Sequence, residues 1–135
     1  SRGVQIADSM ISEGCIIESG ANVEQSVLSP GVTVMNGAVV RQSVLLTDCV
    51  IESGAVIERA ILDKRVRVGE KARIGGVTSS AEPILTLIGK NSQLPAEIIV
   101  EPGAVVGTDI IPSDLEKNTV KASDFIHSKR QPYEI

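Results

Sequence analysis

Aromatic residues are almost absent from this 135-residue sequence, which has no tryptophan and only Phe125 and Tyr133 as aromatic side chains. Ordinary globular cores use aromatic rings for bulk, so this core must be filled by smaller aliphatic side chains. Valine and isoleucine supply 33 residues, and both suit pleated strands. The composition therefore favours an all-β protein built from repeats.

Long apolar runs and a basic net charge are also missing. No apolar run approaches the roughly 20 residues that cross a bilayer, and the net charge of −4 argues against nucleic acid as a partner. No signal peptide is present, and the first residue is Ser1 and not Met. We therefore expect no membrane partner, no nucleic-acid partner, a cytoplasmic location, and a natural start upstream of Ser1.

Large aliphatic residues recur every 17 positions from about residue 4 to residue 75, in three series spaced 6, 5 and 6 residues apart. The series are Ile6, Val23, Val40, Ile57 and Ile74; Ile11, Leu28, Leu45 and Leu62; and Ile17, Val34, Ile51 and Val68. A smaller residue stands two positions before each member, and residues two apart share one side of a strand. Each repeat therefore predicts three short strands with inward-facing pairs, joined into a triangular coil. A period of 3.6 would scatter these positions.

The repeat changes phase near residues 76–83, where GVTSSAEP predicts a loop. The series then resumes every six residues at Ile88, Leu94, Val100 and Val106. Hexapeptide spacing of this kind is typical of a left-handed parallel β-helix with 17–18 residues per coil. We predict an all-β fold in which residues 1–111 form the β-helix and residues 112–135 form a short irregular tail that packs on the solenoid.

Few residues in the sequence are suited to catalysis. Cys15 and Cys49 occupy equivalent positions two coils apart, so their Cα atoms should lie about 10 Å from each other, too far for a disulfide. We expect both to be small core residues, as in a reducing compartment. His127 is the only histidine. It supplies neither the coil histidine that hexapeptide acyltransferases use as a general base nor the three histidines of a β-helical carbonic anhydrase. We therefore predict no catalytic site and no metal site in this chain.

Basic residues concentrate in one stretch, residues 59–73, which carries +4 while the rest of the chain carries −8. Its basic members are Arg59, Lys64, Arg65, Arg67, Lys71 and Arg73. Two interpretations remain open from spacing alone. The stretch is either a solvated face balanced by neighbouring acids or a site for phosphate or sulfate, to which clustered Arg and Lys offer charge-assisted donors.

Several stretches resemble the C-terminal domain of bacterial glucose-1-phosphate adenylyltransferases, also called ADP-glucose pyrophosphorylases. They are DSMISEGCII at residues 8–17, SVL at 26–28 and 43–45, AILDKRVRVG at 60–69, and VEPGAVVG at 100–107. The resemblance covers most of residues 6–107, and generic hexapeptide proteins lack the DSxxSxGC opening. It implies an N-terminal α/β domain that transfers adenylyl from ATP to glucose 1-phosphate with Mg²⁺. This chain shows no sign of that domain and is expected to hold no cofactor and to be inactive alone.

The resemblance also implies a regulatory and oligomerisation role in a homotetramer. Glycolytic intermediates activate such enzymes, and AMP, ADP or phosphate inhibits them. Lys64 matches an effector-binding lysine in the family's DKxxxxG stretch. Ser12 matches an activator-linked serine, although Glu13 replaces the glycine beside it. The candidate effector or anion-binding residues are therefore Lys64, Arg65, Arg67, Lys71 and Ser12, and the expected partners are the chain's own catalytic domain, neighbouring subunits and small anionic effectors.

Three other functions stay open from the sequence. The chain is compatible with the appended β-helix of another sugar-nucleotide pyrophosphorylase and with a free-standing structural solenoid. A hexapeptide acyltransferase is the third alternative, and the lack of a coil histidine disfavours it.

Overall fold

The computed structural model describes residues 3–79, 82 and 84–135, which wind into a left-handed parallel β-helix with three sheets. Face A has seven strands: β1 Gln5–Ala7, β4 Asn22–Glu24, β7 Val39–Arg41, β10 Val56–Glu58, β13 Arg73–Gly75, β16 Ile99–Val100 and β18 Thr119–Val120. Face B also has seven: β2 Met10–Ile11, β5 Val27–Leu28, β8 Val44–Leu45, β11 Ala60–Leu62, β14 Thr86–Ile88, β17 Val105–Val106 and β19 Phe125–Ile126. Face C has five: β3 Ile16–Ile17, β6 Thr33–Val34, β9 Val50–Ile51, β12 Arg67–Val68 and β15 Gln93–Leu94. The predicted fold class is confirmed.

The strand register reproduces the 17-residue period. Val23 pairs with Val40 on the next coil, and Val40 pairs with Ile57 in turn. Val40 is fully buried, whereas its neighbour Val39 points outward and is half-buried. The predicted inward series therefore fills one continuous aliphatic core. In the first coil Ile6 stays exposed, because β1 is the edge strand of face A in the described part of the chain.

Residues with left-handed backbone form the corners between faces B and C. Gly14 and Gly31 occupy this corner in the first two coils, with φ of 75° and 80°. Asp48, Arg65 and Asn91 take the same conformation in later coils, with φ of 58–62°. A repeated turn therefore stacks the corner residues of successive coils above one another.

The loop predicted near residues 76–83 interrupts one coil, but the sheets continue across it. Val44 pairs with Ile61, 17 positions later, but Ile61 pairs with Leu87, 26 positions later. The extra residues lie in sequence between β13 and β14, and Val77 is exposed among those that the structure describes. Positions 80, 81 and 83 of the predicted loop lie outside the described residues.

Regular strands continue beyond Val106, the last residue of the aliphatic series found in the sequence. Val120 pairs with Val100 on face A, and Ile126 pairs with Val106 on face B. A 3₁₀ turn at Pro112–Asp114 separates these strands from the preceding coil, so the partners stand 20 positions apart and the shorter period is lost. The described strands of the β-helix thus extend to Ile126, and a second 3₁₀ turn follows at Pro132–Glu134. No helix in the described ranges is long and apolar enough to cross a membrane.

Candidate functional site

The predicted basic residues lie along one side of a single coil. Lys64 and Arg65 form the corner between β11 and β12, Arg67 belongs to β12 on face C, and Lys71 lies at the next corner, before β13. The structure therefore spreads these four residues from one edge of face C to the other. They do not form one compact cluster.

Two of the four side chains are held by neighbours on the protein. Arg67 Nε lies 2.7 Å from Glu52 Oε2 in an ion pair that is partly exposed to solvent. Arg65 Nε donates to Asn91 Oδ1 at 2.7 Å, and Asn91 Nδ2 donates in turn to Asp109 Oδ1 at 3.1 Å. Exposed pairs of this kind add little stability, but they fix both guanidinium groups against the surface.

Lys64 and Lys71 are exposed, and neither ammonium group makes a hydrogen bond or ion pair with any part of the chain that the structure describes. Their surroundings differ. The Glu97 N–H donates to the Glu70 carbonyl at 2.8 Å, which places Glu97 one coil above Lys71. Glu70 is the immediate neighbour of Lys71 in sequence. Two carboxylates near Lys71 disfavour an added anion there.

The corner at Lys64 holds a second lysine that the sequence analysis missed. The Asn91 N–H donates to the Lys64 carbonyl at 2.9 Å, so residues 64–65 and 90–91 take the same place in successive coils. Lys90 therefore stacks on Lys64, with the two Cα atoms about 4.8 Å apart. Lys90 is exposed and has no side-chain partner among residues 3–79, 82 and 84–135. Arg65 lies beside both lysines.

The insertion in the loop hid this pair from a search by period. Lys64 stands two positions before the inward residue Val66, and Lys90 stands two positions before the inward residue Ser92. Counting from the inward residues, instead of by a fixed repeat, aligns the two lysines. That signal was present in the sequence.

Ser12 lies apart from the lysine pair. It follows β2 in the first coil, where its N–H donates to the Leu28 carbonyl at 2.9 Å. Three strand steps on face B separate β2 from β11, the strand that precedes Lys64. This corresponds to about 14 Å along the axis. The structure therefore does not bring Ser12 to Lys64, and its effector role stays a prediction.

Both cysteines are free thiols that face the core. Cys49 Sγ donates to the Asp63 carbonyl at 3.0 Å. Burial raises the pKa of Cys49 to about 11, because a thiolate is poorly solvated there. Cys49 is therefore protonated at neutral pH and unsuited to act as a nucleophile.

A cavity of about 340 Å³ opens at the C-terminal end of the prism. Its lining carries both charge signs, with Asp114, Glu116, Asp124, Lys117 and Lys129 together with apolar residues and His127. The His127 ring stacks on Phe125 with 4.4 Å between centroids. The lining therefore holds no concentration of one charge.

Asp114 is the buried carboxylate of this C-terminal region. It accepts backbone N–H groups from Ile111 at 2.9 Å and from Lys129 at 2.8 Å. Burial alone would raise the pKa of Asp114, but these two bonds and the charges of Arg130 and Lys129 outweigh it and lower the pKa below its ordinary value. Asp114 therefore fastens the segment after β19 to the last coil as an ionised group.

The sequence profile of the family described as GlmU-like, C-terminal hexapeptide, matches residues 1–82. No curated protein matches the chain. The acetyltransferase domain of PglB from Neisseria gonorrhoeae FA1090 is a similar solved structure, with a TM-score of 0.69 and 25% identity over 79% of this chain and 50% of that chain. The structure of the same domain in complex with acetyl coenzyme A has a TM-score of 0.69 and 24% identity, over 82% of this chain and 52% of that chain.

A putative acetyltransferase from Desulfovibrio desulfuricans G20 is also similar, with a TM-score of 0.66 and 20% identity over 83% of this chain and 26% of that chain. This chain therefore spans about half the length of the PglB domains and about a quarter of the third protein. The similarities to the third protein and to the complexed PglB domain lie below 25% identity and therefore support the fold alone.

Proposed function

The chain belongs to the GlmU-like C-terminal hexapeptide family, and we propose, from the sequence resemblance described above, that this β-helix domain has a regulatory and oligomerisation role in a glucose-1-phosphate adenylyltransferase. The parent enzyme would convert ATP and glucose 1-phosphate to ADP-glucose and pyrophosphate. ATP and Mg²⁺ would act in a separate catalytic domain. The β-helix would contact that domain and neighbouring subunits of a homotetramer, and would bind small phosphorylated effectors.

The observation that supports this proposal best is the stacked pair of Lys64 and Lys90. Two exposed ammonium groups with no partner among the described residues can donate to the same phosphate, and Arg65 adds a third positive charge at the corner. The nearest acid in sequence, Asp63, is partly occupied, because its Oδ1 accepts the Lys64 N–H at 2.7 Å. Lys64 is also the residue that the sequence resemblance assigns to effector binding.

The expected affinity for phosphate follows from the solvent exposure of Lys64 and Lys90. A charge-assisted hydrogen bond contributes about 1.5–3 kcal/mol at best, and water and salt reduce this at an exposed corner. Removing one of the two lysines should therefore weaken phosphate binding about tenfold, equivalent to about 1.4 kcal/mol. Binding to the chain alone should be weak and should fall as the ionic strength rises.

A titration followed by NMR tests the proposal on this chain. Inorganic phosphate and AMP should each shift the backbone amide signals of residues 64–65 and 90–91. Lys64→Ala and Lys90→Ala should each raise the apparent dissociation constant about tenfold. Lys71→Ala is the matched control, since Lys71 is an exposed lysine of the same coil with acidic neighbours. An equal effect of all three variants, or no shift at this corner, would refute the site.

The similarity to acetyltransferase domains favours acetyl transfer as a second candidate function. A transferase of this kind needs a general base close to its acceptor. The only histidine, His127, lies in the last coil against Phe125 and is exposed. Titration of the same sample with acetyl coenzyme A separates the two functions. Saturable binding of acetyl coenzyme A without a phosphate response at Lys64 would favour acetyl transfer.

A further inference from the structure

The cavity at the C-terminal end of the prism has an apolar floor. We call it the end cavity, and it is lined by residues 114–117, 119–120, 124–127 and 129. Leu115, Val120 and Ile126 belong to the aliphatic core or pack against it. Val120 and Ile126 lie on the last strands of faces A and B, so no further described strand covers them. The apolar part of a small molecule can therefore rest on core side chains here.

The backbone directs three N–H donors past the last coil. On face A the Ile99 N–H donates to the Asn118 carbonyl of the next coil at 2.8 Å, and Ile99 is the register partner of Thr119. By the alternation of a parallel ladder, the Thr119 N–H is directed past the end of this face. The Phe125 and His127 N–H groups occupy the same position on face B. All three residues line the end cavity, and none of these N–H groups has an acceptor within the described part of the chain.

The chain binds the neighbouring N–H groups with its own carboxylates. The Lys121 N–H is the fourth donor directed past the last coil, and it donates to Asp124 Oδ2 at 2.9 Å. Asp114 accepts the Ile111 and Lys129 N–H groups at 2.9 and 2.8 Å. Hydrogen bonds to a charged acceptor are shorter and stronger than those to a neutral one. A carboxylate is therefore the acceptor that suits the donors still open.

The charged groups of the end cavity differ in what they already bind. Asp114 and Asp124 accept backbone N–H groups, and Glu116 Oε1 lies 2.8 Å from Lys129 Nζ in an ion pair. Lys117 is exposed, and its ammonium group makes no hydrogen bond or ion pair with the residues that the structure describes. The cation available to a ligand is therefore Lys117, two positions before Thr119.

From these observations we propose that the end cavity binds a small organic acid. Its carboxylate accepts the Thr119 N–H and faces the Lys117 ammonium group, while its aliphatic part lies on Leu115, Val120 and Ile126. This inference does not depend on the proposed effector site or on the proposed parent enzyme.

Size and charge define the class of acid. The cavity volume of about 340 Å³ lies near the lower end of the range for small-molecule sites, roughly 300–1,000 Å³. A short branched acid therefore suits it better than a long chain. The carboxylates of the lining repel an added anion, so we expect weak binding, with a dissociation constant on the order of 1 mM.

A titration followed by NMR tests the proposal on the 135-residue chain at neutral pH. The probe is 4-methylpentanoate, which should shift the backbone amide signals of Thr119, Phe125 and His127. Acetate lacks the aliphatic part, and 4-methylpentanamide lacks the charge. Each of these two controls should bind about tenfold more weakly than the probe, because both the apolar contact and the charged acceptor contribute.

Two lysine variants test the charge at the end cavity. Lys117→Gln should raise the dissociation constant of 4-methylpentanoate about fivefold. Lys121→Gln is the matched control, since Lys121 is also an exposed lysine but does not line the cavity, and it should leave binding unchanged. Both side chains are exposed, and thermal melts show whether each variant is folded.

The expected pattern is a set of shifts at the end cavity, preference for the acid over its amide, and weaker binding in Lys117→Gln alone. No shift at the end cavity overturns the proposal. Equal binding of the acid and its amide also overturns it, as does an equal effect of the two lysine variants. Shifts confined to residues 64–65 and 90–91 overturn it as well, because the acid would then bind at the proposed phosphate site.

Discussion

A ladder of buried serine hydroxyls connects successive coils, and Ser43→Ala should break it. Ser43 is 3% exposed, and its Oγ donates to the Arg41 carbonyl at 2.7 Å. The same Oγ accepts the Ala60 N–H at 3.2 Å. One coil below, Ser26 Oγ accepts the Ser43 N–H at 3.1 Å. Each hydroxyl therefore binds a backbone group of its own coil and one of the next coil.

The loss of stability in Ser43→Ala follows from the buried backbone N–H group that would lose its acceptor. The Ala60 N–H would lose this acceptor, and leaving a buried donor unsatisfied costs about 1–3 kcal/mol. Ala60 itself lacks a hydroxyl, but the chain compensates, because the Thr86 N–H one coil later donates to the Arg59 carbonyl at 3.1 Å. In wild type the Ala60 N–H uses Ser43 Oγ as its acceptor, and Ser43→Ala removes this bond. We therefore expect about 1–3 kcal/mol less stability, a large part of the 5–15 kcal/mol typical of a domain.

Urea unfolding followed by circular dichroism measures this loss. Ser29→Ala is the matched control, because Ser29 is half-buried on face B and its hydroxyl makes no hydrogen bond within the described part of the chain. The Ser43→Ala midpoint should fall clearly below that of wild type with little change in slope, while the free energy of unfolding of Ser29→Ala should stay within about 0.5 kcal/mol of wild type. Equal midpoints for the two variants would refute the ladder as a source of stability.

Three further predictions concern the core and the last coil. Val40→Asp buries an unpaired charge and should cost several kcal/mol, whereas Val39→Asp should be tolerated; thermal melts that rank the two the other way would contradict the register. Cys49 should not react with a thiol reagent at pH 7.5 in the folded chain, because its pKa is about 11 and it is buried; rapid labelling of Cys49, mapped by mass spectrometry, would contradict this. The folded pKa of Asp114 is lowered, so its stabilising effect is present above its ordinary pKa of 3.8 and is lost as pH falls through the folded value. Asp114→Asn should therefore lower the urea midpoint at pH 7 more than at pH 3, and an equal loss at both would contradict an ionised role.

The strand pattern was the part of the fold most accessible from sequence. Inward residues such as Val40 repeat at a fixed spacing because each coil must fill the same cross-section, so periodicity alone predicts them. The spacing fails where extra residues are inserted between strands. The loop before β14 concealed the stacking of Lys90 on Lys64, and the 3₁₀ turn at Pro112–Asp114 concealed β18 and β19.

The partners of the side chains were harder to predict from the sequence than the directions in which the side chains point. Alternation within β12 places Arg67 outward, but only the folded coil places Glu52 within 2.7 Å of it. Arg65 likewise meets Asn91, 26 positions later, through the stacking of two corners. The basic stretch therefore contains held and free cations that its composition does not separate.

The most direct test of the central proposal is an ADP-glucose synthesis assay on the proposed parent enzyme. The enzyme should form ADP-glucose from ATP and glucose 1-phosphate, and phosphate should inhibit it. Lys64→Ala and Lys90→Ala should each raise the half-inhibitory phosphate concentration about tenfold. Lys71→Ala should leave it unchanged. An enzyme that forms no ADP-glucose, or one whose phosphate response is the same in all three variants as in wild type, would contradict the regulatory role.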